Sequence, residues 1–311
     1  MDIATQEVSC PACGCSNFRL IARTRDFCYR TCDNEFDYVC CLDCGQLYLH
    51  NRPTLAELDT IYPAQYISND YEAHLGAFIT RLRDVFQRTK IRVLRKHLKQ
   101  GDLLAEIGCG AGDYLDMIRR LGDPTWEVIG IEFSEVAVTA MHRRGLRAIQ
   151  ARIEDIEWSE RLAGGFIMNQ LIEHVDDPRL VLRKCFQSLR AGGILVLETP
   201  NANGWDRRMF PGRYWAGWHA PRHWAVFDPD SLTRMARQEG YEVAQLKSIL
   251  SPYVILHSLQ YLIRERWKLP GVAKFSDVTH VVPLLTASLL DQIVLMFGGT
   301  TSNMQVVLRK P

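Results

Sequence analysis

A glycine-rich turn is the stretch of this sequence whose residue types and spacing most directly suggest chemistry. Residues 105–115 read AEIGCGAGDYL, in which Gly108, Gly110 and Gly112 alternate between a strand-like apolar run and a helix-like run. Glycines accept positive φ angles and allow a ligand to lie directly on the main chain, and the helix that follows directs its free N–H groups to the same place. A ligand-binding turn and an ordinary turn between a strand and a helix both fit this pattern alone.

An acidic residue after the next strand favours a nucleotide-binding turn. Residues 127–131 are strand-like and are followed by Glu132, roughly 20–25 residues after Gly108. In nucleotide-binding folds, a carboxylate at this distance holds the two hydroxyl groups of a ribose. We therefore predict that the turn and Glu132 bind a nucleoside-containing cofactor. An oxidoreductase with a dinucleotide cofactor remains open at this point.

Two pairs of cysteines near the N-terminus predict a metal site. Each pair belongs to a C-x-x-C-G motif, which can present two thiolates to one tetrahedral ion while the glycine allows a tight turn. The segments 18–21 and 36–39 between the pairs alternate like short strands, as in a zinc ribbon. We predict a structural Zn²⁺ without a catalytic role, because four thiolates leave no open coordination position. The predicted ligands are Cys10, Cys13, Cys41 and Cys44. Unmetallated thiols are the alternative, and Cys40 is a competitor for the place of Cys41.

Composition and charge narrow the class of protein. A chain of 311 residues with 47% hydrophobic residues can form one large core and a small additional module. The net charge of +1 argues against a nucleic-acid partner, which usually requires a clear basic excess. Residues 1–8 are polar and include Asp2 and Glu7, so we expect no signal peptide and a cytoplasmic protein. Clustered cysteines without such a signal favour a metal or free thiols over disulfides.

The patterns predict three parts: a zinc ribbon over residues 1–50, a helical linker or cap over 51–100, and the main domain over 101–311. In the linker, residues 51–54 are typical of a turn before a short helix at 55–61. A helix over about 75–99 is expected to combine an apolar stripe with a basic, solvated face.

From residue 101 onward, strand-like and helix-like runs alternate, which predicts an α/β fold with a doubly wound sheet. Ligands of such sheets bind at the C-terminal ends of the strands. We expect strands at 103–107, 127–131, 147–150, 166–169, 194–198, 240–243 and 304–308. We expect helices at 114–121, 135–144, 179–189 and 228–238.

Several motifs in this region resemble one protein family. They are Tyr62-Pro63 with Tyr66, the glycine turn with Glu106 before it, IEHVDDP at 172–178, LRAGG at 189–193, ETPN at 198–201 and PRH at 221–223. Together with the cysteine motifs, they make residues 10 to about 243 similar to class I S-adenosylmethionine-dependent methyltransferases of the Methyltransf_23 type. The members resembled here carry an N-terminal zinc ribbon and often occur in glycan or natural-product pathways. The resemblance implies a Rossmann-like, seven-stranded sheet and S-adenosylmethionine as cofactor.

The resemblance also implies a set of cofactor-binding residues. Glu132 would bind the ribose hydroxyls and Phe133 would flank the adenine. The family's usual Gly-Asp pair near the adenine amino group is Ala151-Arg152 here, so Glu154 or Asp155 is expected to take its place. A second departure is Ala163-Gly164, where the family often has Phe-Asp. The implied residues are Glu106, Gly108, Gly110, Gly112, Glu132, Phe133, Ile153, Glu154, Asn169, Gln170 and Leu171.

Methyl transfer also needs an acceptor atom in line with the methyl group and, for a hydroxyl acceptor, a base that takes its proton. Histidine suits that base, and the candidates are His174, His219 and His223. Each of them can instead cap a helix or pack in the core. The resemblance places part of the acceptor pocket in the aromatic, basic stretch 214–224. The implied substrate-binding residues, whose rings stack and whose guanidinium holds an anion, are Tyr62, Tyr66, Tyr214, Trp215 and Arg222.

An insertion over residues 251–303 separates the last two predicted strands. It contains two apolar stretches, 253–263 and 281–298, and the second approaches the length of a membrane span. Polar residues within it, including Asp291 and Gln292, argue against a span. Burial in the domain, a lid, a dimer face and an interfacial helix that meets a lipid-linked acceptor all fit, so peripheral membrane contact is one expectation.

These observations predict a methyltransferase that uses S-adenosylmethionine and acts on a small-molecule or sugar-like, glycan-linked acceptor. O-methylation with a histidine base is the first prediction. One alternative is C-methylation of a nucleotide-linked keto-sugar, in which the same histidines serve enolisation. The other is a non-catalytic scaffold in which the ribbon docks a partner and the main domain only binds the cofactor.

Overall fold

A computed structural model describes residues 1–63, 90–156, 162–210, 212–276, 278 and 280–311. Most of the predicted helix at 75–99 and the candidate substrate residue Tyr66 lie outside these residues. The strands are β1 (Thr5–Glu7), β2 (Phe18–Thr24), β3 (Phe36–Cys41), β4 (Leu47–Leu49), β5 (Asn51–Pro53), β6 (Leu103–Ile107), β7 (Glu127–Glu132), β8 (Ala148–Gln150), β9 (Ala163–Asn169), β10 (Leu189–Pro200), β11 (Ala225–Val226), β12 (Glu242–Ser248) and β13 (Asn303–Arg309).

The helices of the described residues connect and cover these strands. They are α1 (Leu58–Ile61), α2 (described over 90–97), α3 (Asp113–Leu121), α4 (Glu135–Arg143), α5 (Pro178–Ser188), α6 (Trp205–Met209), α7 (Pro229–Gln238), α8 (Pro252–Tyr261), α9 (Pro270–Ala273) and α10 (Val281–Met296). Two of these helices begin directly after a polar capping residue, and proline is their first residue. Asp177 accepts the Leu180 N–H before α5, and Asp228 forms a capping box with Ser231 before α7.

A seven-stranded sheet forms the centre of the protein, in the order β12–β13–β10–β9–β6–β7–β8. The strands from β6 to β10 are parallel, and β13 runs antiparallel between β10 and β12. Alternate residues of the strands pack into two different hydrophobic cores, one on each face of the sheet. Phe166 and Met168 pack with α5 and α7 on one face, whereas Ile167 packs with α2 and α3 on the other. This confirms the predicted doubly wound α/β sheet with its seven strands.

A second sheet of four strands, β11–β4–β3–β2, is built mainly from the cysteine-rich N-terminal segment. Its outer strand β11 comes from far along the chain, because Ala225 and Val226 pair with Tyr48 and Leu47. Inside this junction, the hydroxyl group of Tyr38 donates to the backbone carbonyls of Trp218 and His223, at 2.5 and 2.8 Å. The N-terminal sheet therefore holds the segment that carries two of the candidate histidines.

A buried ion pair fixes the same segment a second time. Nη2 and Nη1 of Arg222 lie 2.9 and 3.2 Å from the two carboxylate oxygens of Asp26, and both side chains are 0% exposed. Nε of Arg222 also donates to the Ile61 carbonyl at 2.7 Å, while Asp26 accepts the backbone N–H groups of Tyr29 and Thr31. The pair thus joins the N-terminal segment, the end of α1 and the histidine loop.

The predicted turn at 51–54 is wrong, because residues 51–53 form the strand β5. Their backbone pairs with β1, with Thr5 opposite Pro53 and Glu7 opposite Asn51. Side-chain bonds reinforce this pairing, since Asn51 accepts the Asp37 N–H at 2.7 Å and donates to the Glu35 carbonyl at 2.9 Å. A three-residue strand is too short to show the alternation that identifies strands in a sequence.

The departure at Ala163-Gly164 lies at the N-terminal end of β9, at the opposite end of the strand from Asn169. A Cβ atom on Gly164 would lie 2.3 Å from Cγ of Asp102, so only glycine fits there. Asp102 accepts two hydrogen bonds from Arg190, at 2.9 and 2.6 Å. Glycine at position 164 therefore leaves room for the ion pair between Asp102 and Arg190, which lies where β6, β9 and β10 begin.

The insertion at 251–303 folds into helices whose long member, α10, has one buried face. Asp291 anchors that face, because its buried carboxylate accepts hydrogen bonds from the Ser251 backbone, the Ser251 hydroxyl and the Trp205 indole. The opposite face is apolar and exposed, at Val281, Val282, Leu285, Leu289, Leu290, Ile293, Met296 and Phe297. Among the described residues, none of the helices is both long and apolar enough to cross a membrane.

We predict that removing the buried charge pair destabilises the whole junction. Asp26→Ala leaves the Arg222 guanidinium buried without its counter-charge, so the free energy of unfolding should fall by about 3–5 kcal/mol. Urea denaturation followed by circular dichroism measures this loss. The matched control is Arg23→Ala, which removes the largely exposed pair between Arg23 and Asp37 in the same sheet and should change stability much less. Equal losses in both variants would contradict a special role for the buried pair.

Candidate functional site

The glycine turn joins β6 to α3 with three left-handed glycines. Gly108, Gly110 and Gly112 have φ angles of 68°, 53° and 81°, which side chains other than glycine rarely adopt. At Gly108 the space is also closed, because an added Cβ would lie 2.7 Å from Cδ1 of Leu171. The turn therefore presents bare main chain at the C-terminal end of β6, where ligands of such sheets bind.

Glu132, at the end of β7, is tied to the glycine turn. Its carboxylate oxygens accept the N–H of Gly110 at 2.9 Å and the N–H of Ser134 at 3.1 Å. Ser134 in turn caps α4, accepting the Ala137 N–H. These bonds fix the carboxylate at the place where a ribose diol is expected, with little freedom to turn away.

A polar network lies across the same edge of the sheet. Nδ2 of Asn169 donates to Oε1 of Glu106 at 3.1 Å, and Nζ of Lys90 lies 3.3 Å from Oδ1 of Asn169 and 2.5 Å from Glu198. Oε2 of Glu106 is buried without a hydrogen-bond partner. Burial raises the pKa of Glu106 to about 8, against the opposing hydrogen bond from Asn169. An ammonium group of a ligand would satisfy this oxygen.

Two further residues shape the cofactor edge. Gln170 is held at a φ of 50°, with its N–H donating to the Glu198 carbonyl at 2.7 Å and its side chain donating to Asn303. A non-glycine residue in this conformation is strained, and such strain is concentrated at functional sites. Phe133 is 43% exposed beside Glu132, and its ring centroid lies 6.1 Å from that of Tyr62.

The segment predicted to face adenine has other bonds in the structure. Oε1 of Glu154 accepts the Asp176 N–H at 3.2 Å and lies 3.3 Å from the Arg152 guanidinium. Ile153 is buried in the main core, while Asp155 is exposed. Glu154 therefore braces the loop before α5, two residues after His174.

Glu173 and the three histidines form one cluster, in which Glu173 and His223 are buried and His174 and His219 are partly buried. The ring centroid of His223 lies 4.7 Å from that of His174 and 5.0 Å from that of His219. Glu173 is 0% exposed, and its Oε2 accepts a hydrogen bond from the Thr199 hydroxyl at 2.8 Å. Tyr62 links this cluster to the cofactor edge, since its hydroxyl group lies 2.9 Å from Nδ1 of His174 while its ring meets Phe133.

Burial opposes charge throughout this cluster. It raises the pKa of Glu173 to about 8 and lowers the pKa of His223 to about 4. Burial also lowers the pKa of His174 and His219 well below the usual value, with the neighbouring His223 adding to the effect. At neutral pH the imidazoles are therefore uncharged, and each keeps one ring nitrogen without a proton.

The structure separates the other predicted substrate residues from these histidines. Arg222 is 0% exposed and bonded to Asp26, so its guanidinium does not reach an acceptor. Trp215 lines a separate groove of about 400 Å³ with Arg207 and Arg208, and no histidine lines that groove. Tyr214 stacks on Phe27, with ring centroids 5.8 Å apart. Tyr62 places its hydroxyl group against the histidine cluster, whereas Arg222 meets the cluster through its backbone carbonyl.

The four cysteines of the two motifs converge on one point. The sulfur of Cys10 lies 3.5 Å from that of Cys44, and the sulfur of Cys13 lies 3.6 Å from that of Cys41. A tetrahedral ion with Zn–S bonds of about 2.3 Å requires sulfur atoms about 3.8 Å apart. Each motif turns through its glycine, since Gly14 and Gly45 both have a φ of 76°. The four sulfur atoms thus fit one tetrahedral metal ion.

Two residues of the site were missed in the sequence. Glu173 belongs to the IEHVDDP motif, but its role was not assigned, although an acid between Ile172 and a histidine signals a buried carboxylate. Lys90 was predicted on a solvated face, yet its side chain is 14% exposed and pairs with Glu198. That pairing joins residues more than a hundred positions apart, so no local pattern indicates it.

We predict that Gly108→Ala abolishes measurable binding of S-adenosylhomocysteine. The new Cβ pushes on Leu171, and the strained φ shifts the turn that carries the ligand. Gly101→Ala is the matched control, because Gly101 has a similar φ of 74° and open space at the other end of β6. Both variants should lose about 1–2 kcal/mol of stability. Calorimetric titration should show unchanged affinity only for Gly101→Ala, and an unchanged affinity of Gly108→Ala would contradict the assigned turn.

Comparisons with known proteins identify the family of the main domain. The Methyltransf_23 model, described as a methyltransferase domain, matches residues 78–246, which is more than half of the chain. A ubiquinone biosynthesis O-methyltransferase from Bradyrhizobium sp. is 27% identical over 191 residues, covering 58% of this chain and 69% of that protein. A probable S-adenosylmethionine-dependent methyltransferase from Mycolicibacterium smegmatis is 28% identical over 149 residues, covering 47% of this chain and 54% of that protein.

Solved structures are similar at a lower level. A possible histamine N-methyltransferase from Thermotoga maritima is 16% identical, with a TM-score of 0.49 over 81% of this chain and 98% of that chain. A similarity of this size carries no argument about the activity. With the family model matching over more than half its length, the chain belongs to the Methyltransf_23 family of methyltransferase domains, and it spans only part of the length of the curated relatives that it matches.

Proposed function

We propose that this protein transfers the methyl group to an oxygen atom of a small-molecule or glycan-like acceptor. The observation that carries the proposal is the position of the buried histidine cluster, which Tyr62 connects to the cofactor edge at Phe133. A hydroxyl acceptor must lose a proton when it attacks the methyl group, and an uncharged imidazole beside the cofactor can take it. The ubiquinone biosynthesis O-methyltransferase among the relatives supports the choice of oxygen.

The remaining chemistry asks the protein mainly to position its ligands. The sulfonium ion of S-adenosylmethionine already carries an activated methyl group, so the rate depends on an in-line approach of the acceptor atom. Glu132 and the Gly108–Gly112 turn would hold the nucleoside, and the unpaired oxygen of Glu106 would receive the amino group of the methionine portion. The acceptor would enter between Tyr62 and the histidines. The exposed apolar face of α10 would suit an acceptor that carries a lipid.

C-methylation of a keto-sugar is the second candidate, because the buried carboxylate of Glu173 next to His174 could also support proton abstraction from carbon. The two reactions differ before the methyl group moves. A C-methyltransferase exchanges acceptor C–H protons with D₂O in the absence of cofactor, whereas an O-methyltransferase does not.

The test of O-methylation is a panel of phenols, catechols and nucleotide-linked sugars incubated with S-adenosylmethionine and analysed by mass spectrometry. We expect a methyl ether product. Alanine at His174, His219 or His223 should lower kcat at saturating cofactor by roughly 10²-fold or more in at least one case. His142→Ala, on the exposed surface of α4, is the matched control. Deuterium exchange into the acceptor, or unchanged kcat in all three variants, would reject the O-transfer mechanism.

We also propose that Cys10, Cys13, Cys41 and Cys44 bind one structural Zn²⁺. An ion held by these four sulfur atoms would cross-link the two C-x-x-C-G motifs of the N-terminal sheet. That sheet supports the histidine loop through β11.

The zinc proposal predicts different behaviour of two neighbouring cysteines. Cys13→Ser should abolish the intense sulfur-to-metal charge-transfer absorption of the Co²⁺-substituted protein and lower its melting temperature, because metal binding contributes directly to folding. Cys15→Ser should leave both unchanged, since Cys15 lies outside the four-sulfur group. Retention of the absorption band by Cys13→Ser would show that these four residues do not form the site.

A further inference from the structure

Glu173, His174 and His223 present three potential ligand atoms to one point in the interior. One atom from each residue lies within 4.8 Å of the other two. In the described part of the chain, the other such group of histidine, cysteine and carboxylate ligands is the four-cysteine site. Two histidines and one carboxylate are a ligand set that binds divalent first-row metal ions and leaves coordination positions open.

The carboxylate of Glu173 lacks a hydrogen-bond partner for one of its two oxygen atoms. Its Oε2 accepts the Thr199 hydroxyl at 2.8 Å, but its Oε1 is buried and has no hydrogen-bond partner. A buried polar oxygen without a partner costs free energy unless another group satisfies it. Oε1 lies 4.0 Å from Nε2 of His174, so an ion with bonds of about 2.1 Å to each atom fits between them.

Both histidines are oriented as metal ligands are. Nδ1 of His223 lies 2.9 Å from the Gly217 carbonyl, and Nδ1 of His174 lies 3.1 Å from the Arg222 carbonyl. Carbonyl oxygens only accept hydrogen bonds, so each contact favours a proton on Nδ1 and a lone pair on Nε2. The Tyr62 hydroxyl, 2.9 Å from the same Nδ1 of His174, would then act as an acceptor towards it. Metal-bound histidines almost always donate their other ring N–H to a carbonyl or carboxylate in this way.

We propose that Glu173, His174 and His223 bind a divalent transition-metal ion, with Oε1 and the two Nε2 atoms as ligands. Thr199 and the carbonyls of Gly217 and Arg222 would form the second shell. The donor set, two imidazoles and one carboxylate without thiolate, distinguishes this ion from the one held by the cysteines. One potential ligand atom from each residue already lies within 4.8 Å of the other two, so the side chains need to move inward only slightly.

The position of the ion suggests how it is used. It lies beside Tyr62, at the junction of the histidine cluster with the cofactor edge, so an oxygen of the acceptor can occupy one of its open positions. A metal ion lowers the pKa of such an oxygen and orients it. His219 lies outside the ligand set, 5.0 Å from His223 between ring centroids, and would then be the histidine that takes the proton. This use rests on the proposed O-methylation, whereas the ion site itself does not.

The test is a Co²⁺ titration of the full-length, zinc-loaded protein, followed by visible absorption. We expect one equivalent of Co²⁺ to give ligand-field bands without the thiolate charge-transfer band, because the bound ion has only N and O ligands. Glu173→Gln and His223→Gln should weaken this binding at least ~10-fold, the loss that even a second-shell change can cause. Titration of each variant with S-adenosylhomocysteine, which should bind normally, verifies the fold of the cofactor site.

His219→Gln is the matched control, because it changes a histidine of the same cluster that is outside the ligand set. It should bind Co²⁺ as the unmodified chain does. No uptake of Co²⁺ by the zinc-loaded protein, or equal binding by Glu173→Gln, would overturn the proposal, and so would equal loss in His219→Gln. Co²⁺ binding by a protein that methylates none of the acceptors in the panel would instead count against the proposed function alone.

Discussion

The buried pair between Arg222 and Asp26 is the interaction on which the site depends. Arg222 lies between His219 and His223 in the loop before β11, and its own carbonyl accepts from Nδ1 of His174. Moving this one residue therefore moves all three histidines. Because the guanidinium also binds the Ile61 carbonyl, it fixes the backbone next to Tyr62, which contacts both the histidines and Phe133. The geometry of the acceptor side thus follows from a single pair of charges.

A buried ion pair loses the hydration free energy of both charges. The attraction between the charges offsets this loss only when their geometry is excellent. The pair here meets that condition. Asp26 receives two bonds from the guanidinium, three from backbone N–H groups at Cys28, Tyr29 and Thr31, and one from the Thr31 hydroxyl. A hydrophobic contact of similar area would stabilise the junction but would tolerate sliding. These directional bonds specify one position of the loop.

The central fold could be predicted from the sequence because its information is local. The inner strands of the large sheet are rich in apolar residues, and Asp177-Pro178 and Asp228-Pro229 start their helices at the expected places. The glycine turn, Glu132 and the four cysteines were also recognisable, since their spacing follows from a turn and from tetrahedral ligation. These motifs do not indicate which distant segments of the chain pair with each other.

The acceptor side depends on such distant pairings, and there the sequence was misleading. Arg222 and Trp215 have the side chains of an anion-binding, stacking pocket, but the fold uses one in an ion pair with residue 26 and the other against Asp206 and Ser302. Strand β11 is two residues long and joins a sheet that began nearly two hundred positions earlier. No periodicity in β11 or in the N-terminal segment indicates that the two pair.

This arrangement changes the meaning of the N-terminal module. A ribbon attached through a flexible linker would be suited to docking a partner, but this sheet shares a strand with the histidine loop and buries Tyr38 against its backbone. Disturbing the four-cysteine centre would reach the histidines through β3, β4 and β11 without any change in a residue that touches a ligand. The cysteines thus serve the reaction by fixing the wall of the site, and the chemistry is left to the groups that this wall holds in place.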